Sequence, residues 1–148
     1  MSHPARQELD DALAAVLGDM RQAVDQFAKA LEDERLALDA RDSDALDQAG
    51  SRKQAILLQL EQLDGERQQL RDARAAASPA AETAWAGVVQ ALQRCQLLNQ
   101  RNGGVVQQRL SQVRQALAVL TGHSNQSELY GRSGELQASL RSKVLAAV

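Results

Sequence analysis

Residues 85–120 read WAGVVQALQRCQLLNQRNGGVVQQRLSQVRQALAVL, and their apolar side chains recur at steps of three and four. The members of this stripe are Trp85, Val88, Leu92, Cys95, Val106, Leu110, Val113, Leu117 and Leu120. Such spacing places side chains on one face of an α-helix. Because the phase of the stripe is the same on both sides of residues 99–104, one helix of roughly 54 Å is predicted for the whole run.

The middle of this predicted helix carries amides and glycines where apolar residues are expected. Asn99 and Asn102 occupy two steps of the stripe, and Gly103 and Gly104 follow them. Each glycine in a helix interior costs about 1 kcal/mol relative to alanine. Two interpretations are open. Either the amides fix the helix register while the glycines permit close packing, which we favour, or the glycines bend the helix and open a site.

The composition indicates a single all-α domain. The 148 residues include one Phe, one Trp, one Tyr and two prolines, with a formal net charge of −2. Helix-forming residues predominate, and the aromatic residues typical of β-strands are scarce. No apolar run long enough to span a membrane and no signal-like leader is present, so we expect a cytoplasmic protein without membrane insertion. Basic residues do not form a dense face, which argues against a nucleic-acid partner.

Short links connect the third helix to two further amphipathic helices. Apolar residues at steps of three and four predict helices over about residues 5–40 and 43–74, and the third helix covers about 79–121. Short links imply antiparallel neighbours. Residues 1–122 are therefore predicted to form an elongated antiparallel three-helix bundle with coiled-coil-like packing. The third helix outruns its partners, so its end is either left exposed or pairs with a second copy of the chain.

Polar residues fill several slots of the apolar stripes. Glu34 fills one slot in the first helix, and the run Glu32-Asp33-Glu34 is expected to be a solvated face, since consecutive helical residues point in different directions and do not converge on a metal. Lys53 and Arg67 fill slots in the second helix. We expect their aliphatic stems to lie along the helix contacts while their charges stay in water.

The chain changes character after Gly122. Residues 123–134 are polar and rich in glycine, and are predicted to be a linker that contains Tyr130. Residues 135–148, the tail segment, repeat apolar side chains every four residues. A free helix of about 14 residues is marginal in water, so we expect a mobile amphipathic segment that folds in a groove. The alternative is that it folds back on its own bundle as a fourth helix. The apolar residues, here called the tail stripe, are Leu136, Leu140, Val144 and Val148.

Catalytic motifs are missing from the sequence. The two histidines, His3 and His123, lie near predicted helix ends, and the single cysteine, Cys95, lies on an apolar stripe where a buried small hydrophobe is expected. No spacing typical of a metal site, a phosphate-binding loop or a nucleophile elbow occurs. We expect neither an enzyme nor a bound metal or cofactor.

Four short motifs resemble a known family. They are Lys53 followed by Ile56-Leu57-Leu58, Arg67 followed by Leu70, Asn99-Gln100-Arg101-Asn102-Gly103, and Leu129-Tyr130-Gly131-Arg132-Ser133-Gly134. Together these residues resemble the FlgN family of bacterial export chaperones for the flagellar hook-filament junction proteins. The likeness covers nearly the whole chain in element order, and the last two motifs are its most specific part.

The resemblance implies a function that periodicity does not show. Such chaperones bind the C-terminal region of the hook-associated proteins FlgK and FlgL in the cytoplasm, prevent their premature assembly and deliver them to the export gate. On this analogy the tail stripe is expected to contact the client, and Tyr130 to dock on the export gate component FlhA. For Tyr130 the alternative is a ring that only caps the bundle end. Asn99, Asn102 and Gly103 match the family signature without an assigned contact. The rival hypothesis is a structural coiled-coil scaffold or self-associating adaptor.

Overall fold

The computed structural model describes residues 3–74, 76 and 78–121, and in this part of the chain the fold is an all-α three-helix bundle. Its elements are α1 (His3–Ala40), α2 (Ser43–Arg74) and α3 (Pro79–Thr121). The predicted fold class is confirmed. Both Tyr130 and the tail stripe lie outside the described residues. None of the helices that the structure describes is long and apolar enough to cross a membrane.

A tight turn makes α1 and α2 antiparallel. Arg41 adopts a left-handed backbone conformation with φ of 54°. The backbone N–H of Asp42 then donates to the carbonyl of Ala37 over 3.0 Å, which closes the end of α1. The carboxylate of Asp42 accepts the backbone N–H of Ala45 over 3.1 Å and so caps the start of α2. One residue thus ends one helix and begins the next.

The central element of the bundle is α1. It packs against both neighbours, whereas no Cα atom of α2 lies within 8 Å of a Cα atom of α3 among the described residues. The core therefore forms as two interfaces that share α1, and a gap between α2 and α3 opens over its surface. The core side chains larger than alanine are Leu13, Val16, Leu17, Met20, Val24, Phe27 and Leu31 from α1, Ile56 and Leu60 from α2, and Val88, Leu92 and Cys95 from α3.

Two hydrogen bonds define how α3 lies along α1. The Cys95 Sγ is 3.7 Å from the carbonyl oxygen of Val24, and the Asn102 Nδ2 donates to the carbonyl oxygen of Leu31 over 2.8 Å. Both pairs are separated by 71 residues in sequence. A constant offset means that the two helices run parallel and in step.

The same offset leaves the end of α3 without α1 beside it. Residue 111 of α3 is level with Ala40, the last residue of α1, so residues 112–121 extend about 15 Å further. This extension is called the overhang. Its apolar side chains are exposed to an extent unusual for large aliphatic residues. The exposed fractions are 54% for Val113, 85% for Val119 and 80% for Leu120.

Candidate functional site

A groove runs between α2 and α3, with α1 as its floor. It encloses a cavity of about 540 Å³ near the end of the bundle at which α1 turns into α2. Apolar and amide side chains share its walls, and we call it the α2/α3 groove. Residues that define it are Phe27 on the floor, Leu46 and Leu57 on α2, and Asn99, Gly103 and Val106 on α3.

A polar cluster of four side chains joins all three helices at this groove. The Lys53 Nζ donates to both carboxylate oxygens of Glu34, over 3.2 and 3.0 Å, and to the Asn99 Oδ1 over 2.8 Å. The Asn102 Nδ2 donates to the Glu34 Oε1 over 2.9 Å, in addition to the carbonyl of Leu31. Glu34 is the hub, since it accepts from both neighbouring helices. We name Glu34, Lys53, Asn99 and Asn102 the polar cluster.

The polar cluster is largely withdrawn from water. The side chains of Lys53 and Glu34 are 18% and 14% exposed, and Asn102 is 3% exposed. Charged and amide groups that are shielded from water to this extent need hydrogen-bond partners inside the protein. Removing one partner leaves the other buried without a hydrogen bond or an opposite charge. Two expectations from the sequence are therefore wrong: Glu34 is not part of a solvated face, and Lys53 does not keep its charge in water. The amides of α3 supply partners that a single-helix pattern cannot reveal.

Arg67 is buried as well, against the same expectation. Its residue is only 6% exposed, its guanidinium lies 3.7 Å from the ring centroid of Trp85, and its Nε donates to the Asp64 Oδ1 over 2.8 Å. The Gln68 Nε2 donates to the other Asp64 oxygen over 2.9 Å. An aromatic face and a carboxylate one turn away replace water around this cation. Arg67 thus connects α2 to α3 at the end of the bundle opposite to the polar cluster.

Gly103 of the family signature and the adjacent Gly104 lie within a continuous helix. Gly103 is buried and Gly104 is exposed, and α3 passes through both without a break. A Cβ atom on Gly104 would meet nothing within 4 Å. The contacts of Asn102 agree with a packing role for the amides, because its Nδ2 holds α3 in register on α1.

The predicted signature residues come together, and two of their partners were missed. Asn99, Asn102 and Gly103 all line the α2/α3 groove. Glu34 and Lys53 complete the arrangement, although the sequence analysis assigned them to solvent. One feature of the sequence could have identified them. Each of the three helices has a polar residue at a position of its apolar stripe, and these positions lie at the same level when the helices pack together.

The described residues do not suggest chemistry on a bound substrate. Among them, no group of three or more His, Cys, Asp or Glu side chains is placed to hold a metal ion. Cys95 is 2% exposed, and burial raises its pKa to about 11, which keeps the thiol protonated and unreactive at neutral pH. The apolar side chains that line the groove are of the kind that receive the apolar face of an amphipathic helix.

Comparison with known proteins decides the family. A family model described as FlgN protein matches residues 1–138. The chain belongs to the FlgN family. No curated protein and no solved structure matches the chain. FlgN proteins are flagellar export chaperones and not an enzyme family, and membership implies binding of flagellar hook-associated proteins. The FlgN match includes Tyr130 and Leu136 but ends before Leu140.

Proposed function

We propose that this protein is a cytoplasmic chaperone for FlgK- and FlgL-type hook-associated proteins. It binds their C-terminal region, prevents premature assembly and delivers them to the flagellar export gate. The FlgN match over residues 1–138 carries this proposal. The bundle adds a rigid support, and the sequence beyond it adds an amphipathic segment of the kind that recognises a partner helix.

The client-binding element in this proposal is the tail stripe. Burial of four aliphatic side chains returns roughly 6 to 12 kcal/mol, against an ordering cost of about 1 to 2 kcal/mol for each residue that becomes fixed. Summed over the 14 residues of the tail segment, the ordering cost exceeds the gain from these four side chains, so the segment becomes ordered only against a further apolar surface. Shielding of that surface on the client prevents self-assembly, and no bond is made or broken.

Docking at the export gate is assigned to Tyr130. A tyrosine combines an apolar ring with a polar hydroxyl and is enriched at protein interfaces. Its position between the bundle and the tail segment lets it contact FlhA while the tail stripe holds a client. Because different residues contact the client and the export gate, the chaperone can hold a client while it binds the gate.

A matched pair of double variants tests the client-binding element. Leu136→Asp with Leu140→Asp places charge on the tail stripe, and Ala138→Asp with Ser142→Asp places the same charge on the opposite face of the predicted helix. We expect co-purification with C-terminal segments of FlgK and FlgL homologues to be lost only in the first pair. Far-UV circular dichroism checks that both variants fold. Client retained by the first pair would contradict the assignment.

A self-associating scaffold is the second candidate, and the overhang favours it. Val119 and Leu120 are 85% and 80% exposed at the end of α3, as expected of a surface that another molecule covers. In that function the long helices themselves are the working part and the tail segment is dispensable. Its signature is an oligomer whose size depends on protein concentration.

A further inference from the structure

We propose that, without a client, the α2/α3 groove binds the chain's own tail segment, residues 135–148. The client and the groove then compete for the tail stripe, a consequence that rests on the proposed function. Of the two alternatives that the sequence leaves open for this segment, the groove selects the one in which it folds back on the bundle.

The groove is an open surface between two helices whose backbones do not contact each other. The Cα atoms of α2 and α3 stay more than 8 Å apart among the described residues, and the cavity between them measures about 540 Å³. Gly50 lies on the α2 wall, where a Cβ atom would meet nothing within 4 Å. Phe27, Leu57 and Val106 provide apolar surface along the floor and both walls.

The chain leaves α3 at a point from which the tail segment reaches this groove. α3 ends at Thr121, which lies beyond the same end of the bundle that holds the groove. The return to the level of Val106 covers fifteen residues of helix, or roughly 22 Å. The linker of residues 123–134 spans up to about 40 Å when extended. It is therefore long enough for the chain to reverse direction.

Length and polarity of the tail segment agree with the groove. Fourteen residues form a helix of about 21 Å, and the groove wall from Leu46 to Leu57 on α2 is about 17 Å long. The apolar side chains of the tail stripe all fall on one side of such a helix, which matches a groove with an apolar floor. The opposite side, with Ala138 and Ser142, faces water in this arrangement.

Disulfide trapping in the full chain tests this proposal without any client. Gly50→Cys on the groove wall is combined in turn with Gln137→Cys and Lys143→Cys, which flank the tail stripe on its two sides. Gln48→Cys is the matched control, because it lies at the same height on α2 but is exposed and does not line the groove. Native Cys95 stays in place, since its buried thiol has a pKa of about 11 and reacts slowly.

We expect an intrachain disulfide to form about ten-fold faster from Gly50→Cys than from Gln48→Cys, at a rate independent of dilution. Gln54→Cys, one turn further along the groove, gives the same result if Gly50→Cys misfolds. Equal rates at the two positions overturn the proposal, as do cross-links that disappear on dilution and so join two copies. Added client segment slows the reaction. If trapping occurs and the client has no effect, the proposed function fails while the groove assignment stands.

Discussion

At the scale of single residues, the polar cluster is the feature that distinguishes this bundle from a generic coiled coil. Glu34 accepts hydrogen bonds from Lys53 on α2 and from Asn102 on α3, each at 3.2 Å or less. A polar group on a helix contact costs stability but excludes other registers, because any slip leaves it without partners. The cluster therefore specifies how the three helices align, and the apolar stripes supply the stability.

Replacement of one amide separates packing from binding. Asn102→Ala removes the hydrogen bonds to Leu31 and Glu34, worth about 1 to 2 kcal/mol, and gains about 0.5 kcal/mol of helix propensity. We expect the free energy of unfolding in urea to fall by about 1 kcal/mol, followed by the fluorescence of Trp85, the single tryptophan. Gln100→Ala, an exposed amide two residues away, is the control and changes it by less than about 0.5 kcal/mol. Equal stability of the two variants, with client binding lost only in Asn102→Ala, would assign the amide to binding instead.

At the scale of elements, the arrangement around α1 creates the groove. The short link between α2 and α3 does not bring their backbones into contact, because α1 holds the two helices on separate strips of its surface. Side chains alone bridge the two outer helices, through Lys53 with Asn99 at one end and Arg67 with Trp85 at the other. The surface between α2 and α3 is the groove in which the tail segment is proposed to lie.

Filling the groove measures how strongly it holds the tail segment. Gly50→Leu adds a side chain into the cavity, and Gly65→Leu adds the same side chain outside it. Both substitutions raise the helix propensity of α2 by about 1 kcal/mol, so their effects on stability are alike. If the tail segment is docked about 90% of the time, releasing it lowers the apparent Kd for a client segment about ten-fold. Calorimetric titration should show this gain for Gly50→Leu alone; the same Kd in both variants would argue against competition.

At the scale of the whole molecule, charge and exposure combine at the overhang. Between Thr83 and Thr121 the chain has no acidic residue and four arginines, while α1 is rich in acids. Within residues 112–121 the sequence contains one charged residue, Arg114, and no acid. This positive charge favours an acidic partner over a second copy of the chain.

Sedimentation across a wide concentration range decides between chaperone and scaffold. We expect the molar mass of the client-free chain to stay that of one 16.0 kDa copy throughout, because ten residues of one helix offer less apolar surface than a stable interface between two copies needs. The variant Val119→Asp with Leu120→Asp then sediments as the parent does. A mass that rises with concentration in the parent, and not in the variant, would instead identify the overhang as a self-association surface and support the scaffold.

The sequence by itself determined the helices, their amphipathic faces and the all-α bundle, because those follow from contacts three and four residues apart. It also marked Asn99, Asn102 and Gly103 as exceptional. Only the tertiary structure decided what those exceptions contact. Lys53 and Glu34 are 19 residues apart in sequence, Lys53 and Asn99 are 46 apart, and Asn102 and Glu34 are 68 apart. Such pairings depend on how whole helices are placed against each other. The pattern of one helix predicts which of its residues face the bundle interior, but not which residue of a neighbouring helix each of them contacts.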